Sequence, residues 1–159
     1  SMGISPEVIS KALALFTGVG RRMEYKGSFR GAKVYDDYAH HPSEVETTLR
    51  AVRRAHEGKI ICVFQPHTYT RTAALKDGFA KALSIADEVI LADIYAAREK
   101  NTVGITSAAI GDLMQNAVCV SGFDAIVSLL ENKVHEGDFV LTMGAGDIFK
   151  VGEMLCDKK

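Results

Sequence analysis

From Ala32 to the C-terminus, short apolar runs alternate with longer stretches whose apolar residues recur at helical spacing. Residues 32–35, 60–64, 88–92, 117–120 and 139–142 have the length and apolar content of strands. Between and after them lie Val45, Leu49, Val52 and His56, then Leu75, Phe79, Ala82 and Leu83, then Ile110, Leu113 and Met114. Ile126, Leu129 and Leu130 follow, and Ile148, Val151 and Leu155 close the series. Each set marks one face of a helix. Five strand–helix pairs in a row predict βαβ units, and strands apolar on both faces predict a mainly parallel sheet covered on both sides. The expected fold is one doubly wound α/β domain over residues 1–159.

The N-terminal part is read as an addition at the sheet edge. Ser5-Pro6-Glu7 is a helix start, with Ser as cap and Pro in the first turn, and Ile9, Ala12, Leu13 and Phe16 continue it. Residues 22–26 and 32–35 alternate like antiparallel strands, with Gly27-Ser28-Phe29-Arg30-Gly31 as the turn. Ser1-Met2-Gly3 reads as an expression remnant around a start codon, which would make the chain a piece of a larger protein. No basic-then-apolar leader opens it.

Composition removes several function classes. Nineteen basic against 20 acidic residues give a net charge of −1, too balanced for a partner held chiefly by charge, such as nucleic acid or an anionic membrane surface. No apolar run approaches the roughly 18 residues of a membrane span. Cys62 and Cys119 lie in apolar runs and are expected to be buried. With Cys156 they form no metal-binding or disulfide spacing, so a reducing, cytoplasmic setting is expected. No metal site is expected in this chain.

In open α/β sheets, ligands bind beyond the carboxyl ends of the strands. The unusual residues fall there. Asp36-Asp37-Tyr38-Ala39-His40-His41-Pro42 follows the first strand of the series, and Gln65-Pro66-His67-Thr68-Tyr69-Thr70-Arg71-Thr72 follows the second. Residues 93–103 follow the third, and Gly144-Ala145-Gly146-Asp147 the last. A carboxylate at a strand end suits ribose hydroxyls, though Asp36 or Asp37 serves equally well as a helix cap. His67 and Arg71, four apart near a predicted helix start at Thr68, suit a carboxylate, since helix N-termini attract anions and Arg pairs with carboxylates bidentately. The alternative for this pair is a loop His and a solvated helix face. Gly144–Asp147 lacks the third glycine of a dinucleotide fingerprint and reads as a tight turn. No phosphate-binding P-loop, nucleophile elbow or zinc-protease motif occurs.

These segments, in this order and spacing, together with Arg21-Arg22-Met23-Glu24, resemble the C-terminal, Rossmann-like domain of the Mur ligase family, and within it the alanine-adding branch. The resemblance covers nearly the whole chain but only one of three family domains. It implies an ATP- and Mg2+-dependent ligase of peptidoglycan synthesis. UDP-N-acetylmuramate would be activated as an acyl phosphate and joined to L-alanine. The P-loop and most magnesium ligands would lie in the central domain, and the UDP sugar would sit on the N-terminal domain. Those two domains are the implied protein partners, and this chain alone is expected to be inactive and to hold no catalytic residue. By the same resemblance Arg22 and Asp37 contact the nucleotide, Asp37 at the ribose. Tyr38, His40, His67 and Arg71 hold the amino acid. Thr68 stands where relatives often carry Arg, and Ala96 where Pro is common, which suggests a looser loop. The competing readings are a peptide-recycling ligase of the same family, a metal-dependent phosphoesterase using Asp36, Asp37, His40 and His41, and a stand-alone nucleotide-binding module.

Overall fold

The computed structural model describes residues 20–158, together with Ser5 and Val8. The helix expected over Ile9, Ala12, Leu13 and Phe16 and the remnant at residues 1–3 lie outside the described residues. The elements run β1 (Glu24–Phe29), β2 (Ala32–Asp37), α1 (Pro42–Ala55), β3 (Ile60–Phe64), α2 (Tyr69–Leu83), β4 (Glu88–Leu91), α3 (Ala108–Gly111), β5 (Ala117–Cys119), α4 (Phe123–Lys133), β6 (Phe139–Met143) and α5 (Phe149–Asp157). From β2 onward this is the predicted alternation. One six-stranded sheet has the order β1-β2-β6-β3-β4-β5. Only β1 and β2 pair antiparallel; the other pairs are parallel.

The continuous apolar runs have a simple cause. Ile60, Cys62 and Phe64 of β3 pack with α1, α2 and α3 on one face. Ile61 and Val63 pack with α4 and α5 on the other. A period of two feeds two cores, so no position in the strand is free to be polar.

The hairpin is tighter than the sequence suggested. β1 continues through Phe29, whose ring is buried with the α4–α5 side of the core, and the strand absorbs an irregularity between Tyr25 and Gly27. The five-residue turn therefore shrinks to Arg30-Gly31. Both have positive φ, 48° and 82°, the geometry of a two-residue type I′ turn that matches strand twist. A second correction concerns Cys119. It is exposed, because β5 is a three-residue strand at the sheet edge. Cys62 is fully buried as expected, and burial pushes its thiol up to about 12.

Strand order positions the site. The last strand, β6, inserts between β2 and β3, so the loops leaving β2, β6 and β3 emerge side by side. Register levels them: Asp37 lies opposite Met143, and Met143 opposite Phe64. This reversal of winding is where α/β sheets open a crevice.

Candidate functional site

Asp36 and Asp37 belong to β2 rather than to the loop after it, a correction to the expected strand end. Asp36 is 0% exposed. Its Oδ1 accepts from Thr142 Oγ1 at 2.7 Å, and its Oδ2 accepts from Arg21 Nε at 2.8 Å. Burial pushes its carboxyl up, against the downward pull of Arg21 and Thr142. Arg21, to which the sequence assigns no role of its own, also donates to the carbonyls of Gly146 at 2.9 Å and Gly144 at 2.6 Å. Its guanidinium lies 5.0 Å from the Tyr38 ring and 4.8 Å from Phe149. The only sequence trace of this role is that two arginines stand together ahead of β1, and position alone does not say which one turns inward.

Asp37 is buried, and both its oxygens hold backbone amides. Oδ2 accepts from Met23 N at 2.9 Å and Oδ1 from Ala39 N at 2.9 Å. It thereby fastens the chain entering β1 to the loop leaving β2. Arg22 is exposed at that junction, 5.8 Å from the Tyr38 ring. Tyr38 is 37% exposed, its amide fixed to Arg21 O at 2.7 Å. These three residues share one end of the rim.

His40 and His41 part company. His41 caps α1, and Glu44 returns to accept from the amides of His40 and His41 at 3.0 and 3.1 Å, completing a capping box. Those bonds, that of His40 first, hold the Glu44 carboxyl below its usual range. His40 turns its ring inward. Nδ1 lies 3.0 Å from Tyr38 O, and a carbonyl there requires Nδ1 to carry the proton. The ring meets Tyr38 edge-on at 5.3 Å and lies 6.1 Å from the His67 ring.

His67 comes from the segment after β3 and Arg71 from the first turn of α2, as the spacing predicted. His67 stacks on Tyr95 with ring centroids 5.5 Å apart. Burial chiefly, then the neighbouring Arg71 and His40, lowers its pKa, which favours the neutral ring. Two polar positions stand out: Nδ1 of His67 and Nη1 of Arg71 are buried with no hydrogen-bond partner among the described residues. Buried polar atoms are normally satisfied. Thr68, between them, holds φ 66° and ψ 146°, a conformation that costs a β-branched residue about 1–3 kcal/mol and gathers at functional sites. Thr68 N donates to Tyr95 O and Thr68 O accepts from Thr72, which secures it.

The start of α2 is not an open anion site. Glu99, from the loop after β4, accepts from Thr70 N at 3.0 Å and Thr70 Oγ1 at 2.6 Å. These bonds hold its carboxyl below the usual range. Ala96, where a looser loop was expected, lies in a turn closed by Glu99 N to Ala96 O at 2.9 Å. The Gly144–Asp147 turn is likewise engaged within the chain. Gln65 Oε1 accepts from the amides of Asp147 and Ile148, and Gln65 Nε2 donates to Asp147. Gln65, Tyr95 and Glu99 have no individual signature in sequence; each matters through a neighbour brought by topology.

Among the described residues no three His, Cys, Asp or Glu side chains come together as metal ligands. Asp36, Asp37 and His41, three of the four donors the phosphoesterase reading needs, are committed to Arg21 and Thr142, to backbone amides and to a helix cap. Among the same residues no helix is long and apolar enough to cross a membrane.

Comparison with known proteins agrees with the resemblance. The family described as "Mur ligase, glutamate ligase domain" matches residues 21–146. The UDP-N-acetylmuramate–L-alanine ligase of Acetivibrio thermocellus is 47% identical over 100% of this chain and 35% of its own length. The chain thus spans about a third of the curated relatives it matches. The crystal structure of the UDP-N-acetylmuramate–alanine ligase of Thermotoga maritima superposes with a TM-score of 0.73 at 28% identity, covering 98% of this chain and 34% of that one. A murein peptide ligase from Psychrobacter arcticus reaches 0.74 at 22% identity over 96% of this chain and 32% of that one, a likeness of fold alone.

Proposed function

The chain belongs to the Mur ligase family, and from that premise we propose that it is the C-terminal domain of a ligase joining L-alanine to UDP-N-acetylmuramate. ATP supplies the phosphoryl group that activates the sugar acid's carboxyl as an acyl phosphate. A divalent cation, Mg2+ in this reading, is held mainly by the central domain. The domain's partners are the enzyme's own N-terminal and central domains, and its setting is cytoplasmic.

The observation that carries the reading is the pair of unpartnered buried nitrogens, His67 Nδ1 and Arg71 Nη1, one turn apart on the rim. An amino-acid carboxylate satisfies both, with the His67 proton on Nδ1. Arg71 supplies the permanent positive charge, and Thr68 adds no cation. His40, its tautomer set by Tyr38 O, and the exposed Tyr38 ring lie on the adjoining side and confine the amino group and methyl. Arg22 supplies a cation toward the nucleotide. Asp37 keeps its backbone bonds and presents its remaining lone pairs to the ribose. The domain binds and orients, holding the amine where the activated carboxyl is delivered, an arrangement that lowers the entropic part of the barrier. Relatives of this sequence favour the alanine branch over the recycling branch, since the 47% identical relative carries the alanine name and the peptide ligase shares only the fold.

Arg71→Ala in the complete enzyme tests this. Alanine offers one methyl to bury, about 1 kcal/mol, so recognition rests on its charged ends. Loss of the guanidinium is expected to cost about 2–4 kcal/mol, roughly 30- to 1000-fold in kcat/KM for alanine at saturating ATP and UDP sugar. Arg71→Lys restores part of it, keeping the charge without the fork. A change within about threefold, less than even a weak contact is worth, would show that Arg71 does not hold the substrate and end the assignment.

A further inference from the structure

Tyr95 lies outside every role described above, and its surroundings are unusual for a loop residue. Its backbone is tied on both sides to the strand β3 exit: Tyr95 N donates to Pro66 O at 2.8 Å and Tyr95 O accepts from Thr68 N at 2.8 Å, an isolated parallel bridge between Tyr95 and His67. The ring stacks on His67, with 25° between planes. Its base is backed by the loop after β6, where a Cβ placed on Gly146 would come within 2.7 Å of Tyr95 Cγ. Further along, Glu99 anchors the same loop to Thr70 on α2, and Ala97 takes φ 51° to make the bend. The ring is nevertheless 38% exposed.

We propose that Tyr95 is the specificity wall of the amino-acid site, limiting the accepted side chain to the size of a methyl group. This rests on the reading of His67 and Arg71 as the carboxylate pair. With the carboxylate there, the substrate side chain lies beside His67, and Tyr95 covers one face of that ring. A wall excludes larger groups only if it cannot move aside. Here the backbone is bonded to Pro66 and Thr68, the ring is stacked, and Gly146 leaves no free volume behind it. Packed protein yields poorly to an extra methylene, and discrimination of about 10- to 200-fold per methylene is within reach of such a surface.

The test uses the complete enzyme and three amino acids, L-alanine, L-2-aminobutyrate and L-valine, with kcat/KM measured at saturating ATP and UDP sugar. Tyr95→Ala is expected to raise the ratio of aminobutyrate to alanine by about tenfold or more, and the ratio of valine to alanine further. Tyr95→Phe, which keeps the ring, holds both ratios within about threefold of wild type. Tyr95→Leu gives an intermediate shift and serves if the alanine variant melts at a clearly lower temperature. Ratios unmoved in both the Ala and Leu variants overturn the proposal. Arg71→Ala is run alongside. If it loses alanine turnover while the Tyr95 ratios stay put, the site stands and the wall falls. If it leaves turnover within about threefold, the site itself is misplaced and the wall falls with it.

Discussion

Arg21 donates from all three guanidinium nitrogens into the rim, to Asp36, Gly144 and Gly146, while its own amide donates to Glu24 Oε2 at 2.7 Å. Asp36 is wholly buried beneath it. Removing one member of a buried pair leaves the other charge uncompensated, at about 3–5 kcal/mol. Arg21→Ala is therefore expected to lower the unfolding free energy of the chain by about 3 kcal/mol in urea titration. Adding Asp36→Asn should recover part of that loss, because the buried group left behind is then neutral. An additive double variant would show that the two side chains do not act as a pair. The role of this residue is not legible in the sequence for a physical reason: it depends on carbonyls more than 120 positions away. Arg22, beside it, carries the family resemblance yet remains on the surface. His67 and Arg71 were legible because a helix start fixes their relative placement locally.

At the scale of elements, the exits of β3 and β6 are locked by a side chain and two glycines. Gly144 has φ 148°, and a Cβ there would lie 2.7 Å from Gln65 O. A Cβ on Gly146 would collide with Gln65 Oε1, the atom that accepts from Asp147 N and Ile148 N. Gly146→Ala must therefore push Gln65 off two backbone amides, that of Ile148 buried, as well as crowd Tyr95. A loss of about 1–3 kcal/mol is expected, with faster hydrogen exchange at Asp147 and Ile148 as its signature. Unchanged exchange at those two amides would mean that Gln65 is not what holds the turn. The glycines read in sequence as a tight turn, and the structure closes that turn onto the exit of a neighbouring strand. The hairpin differs for a related reason: alternation located both strands, but only the burial of Phe29 decides where the turn begins.

For the whole molecule, the proposed role of the rim is to hold an amino acid and one side of a nucleotide, and the chain spans about a third of the relatives' length. Incubated alone with ATP, Mg2+, UDP-N-acetylmuramate and L-alanine, it should release no phosphate above background, because nothing in its sequence matches the P-loop that clamps transferred phosphate. Alanine-dependent release would refute the proposed division of labour. The sequence by itself determined the alternation of strands and helices from Ala32 onward, the two-sided burial of the sheet, and the strand ends where polar residues collect. Those follow from periodicity and local sterics, which a linear text contains. Only the tertiary structure decided that β6 slots between β2 and β3. That placement brings Arg21 to Asp36, Gly146 to Tyr95 and Tyr95 to His67, since contacts between residues far apart in the chain are set by packing and strand order rather than by spacing.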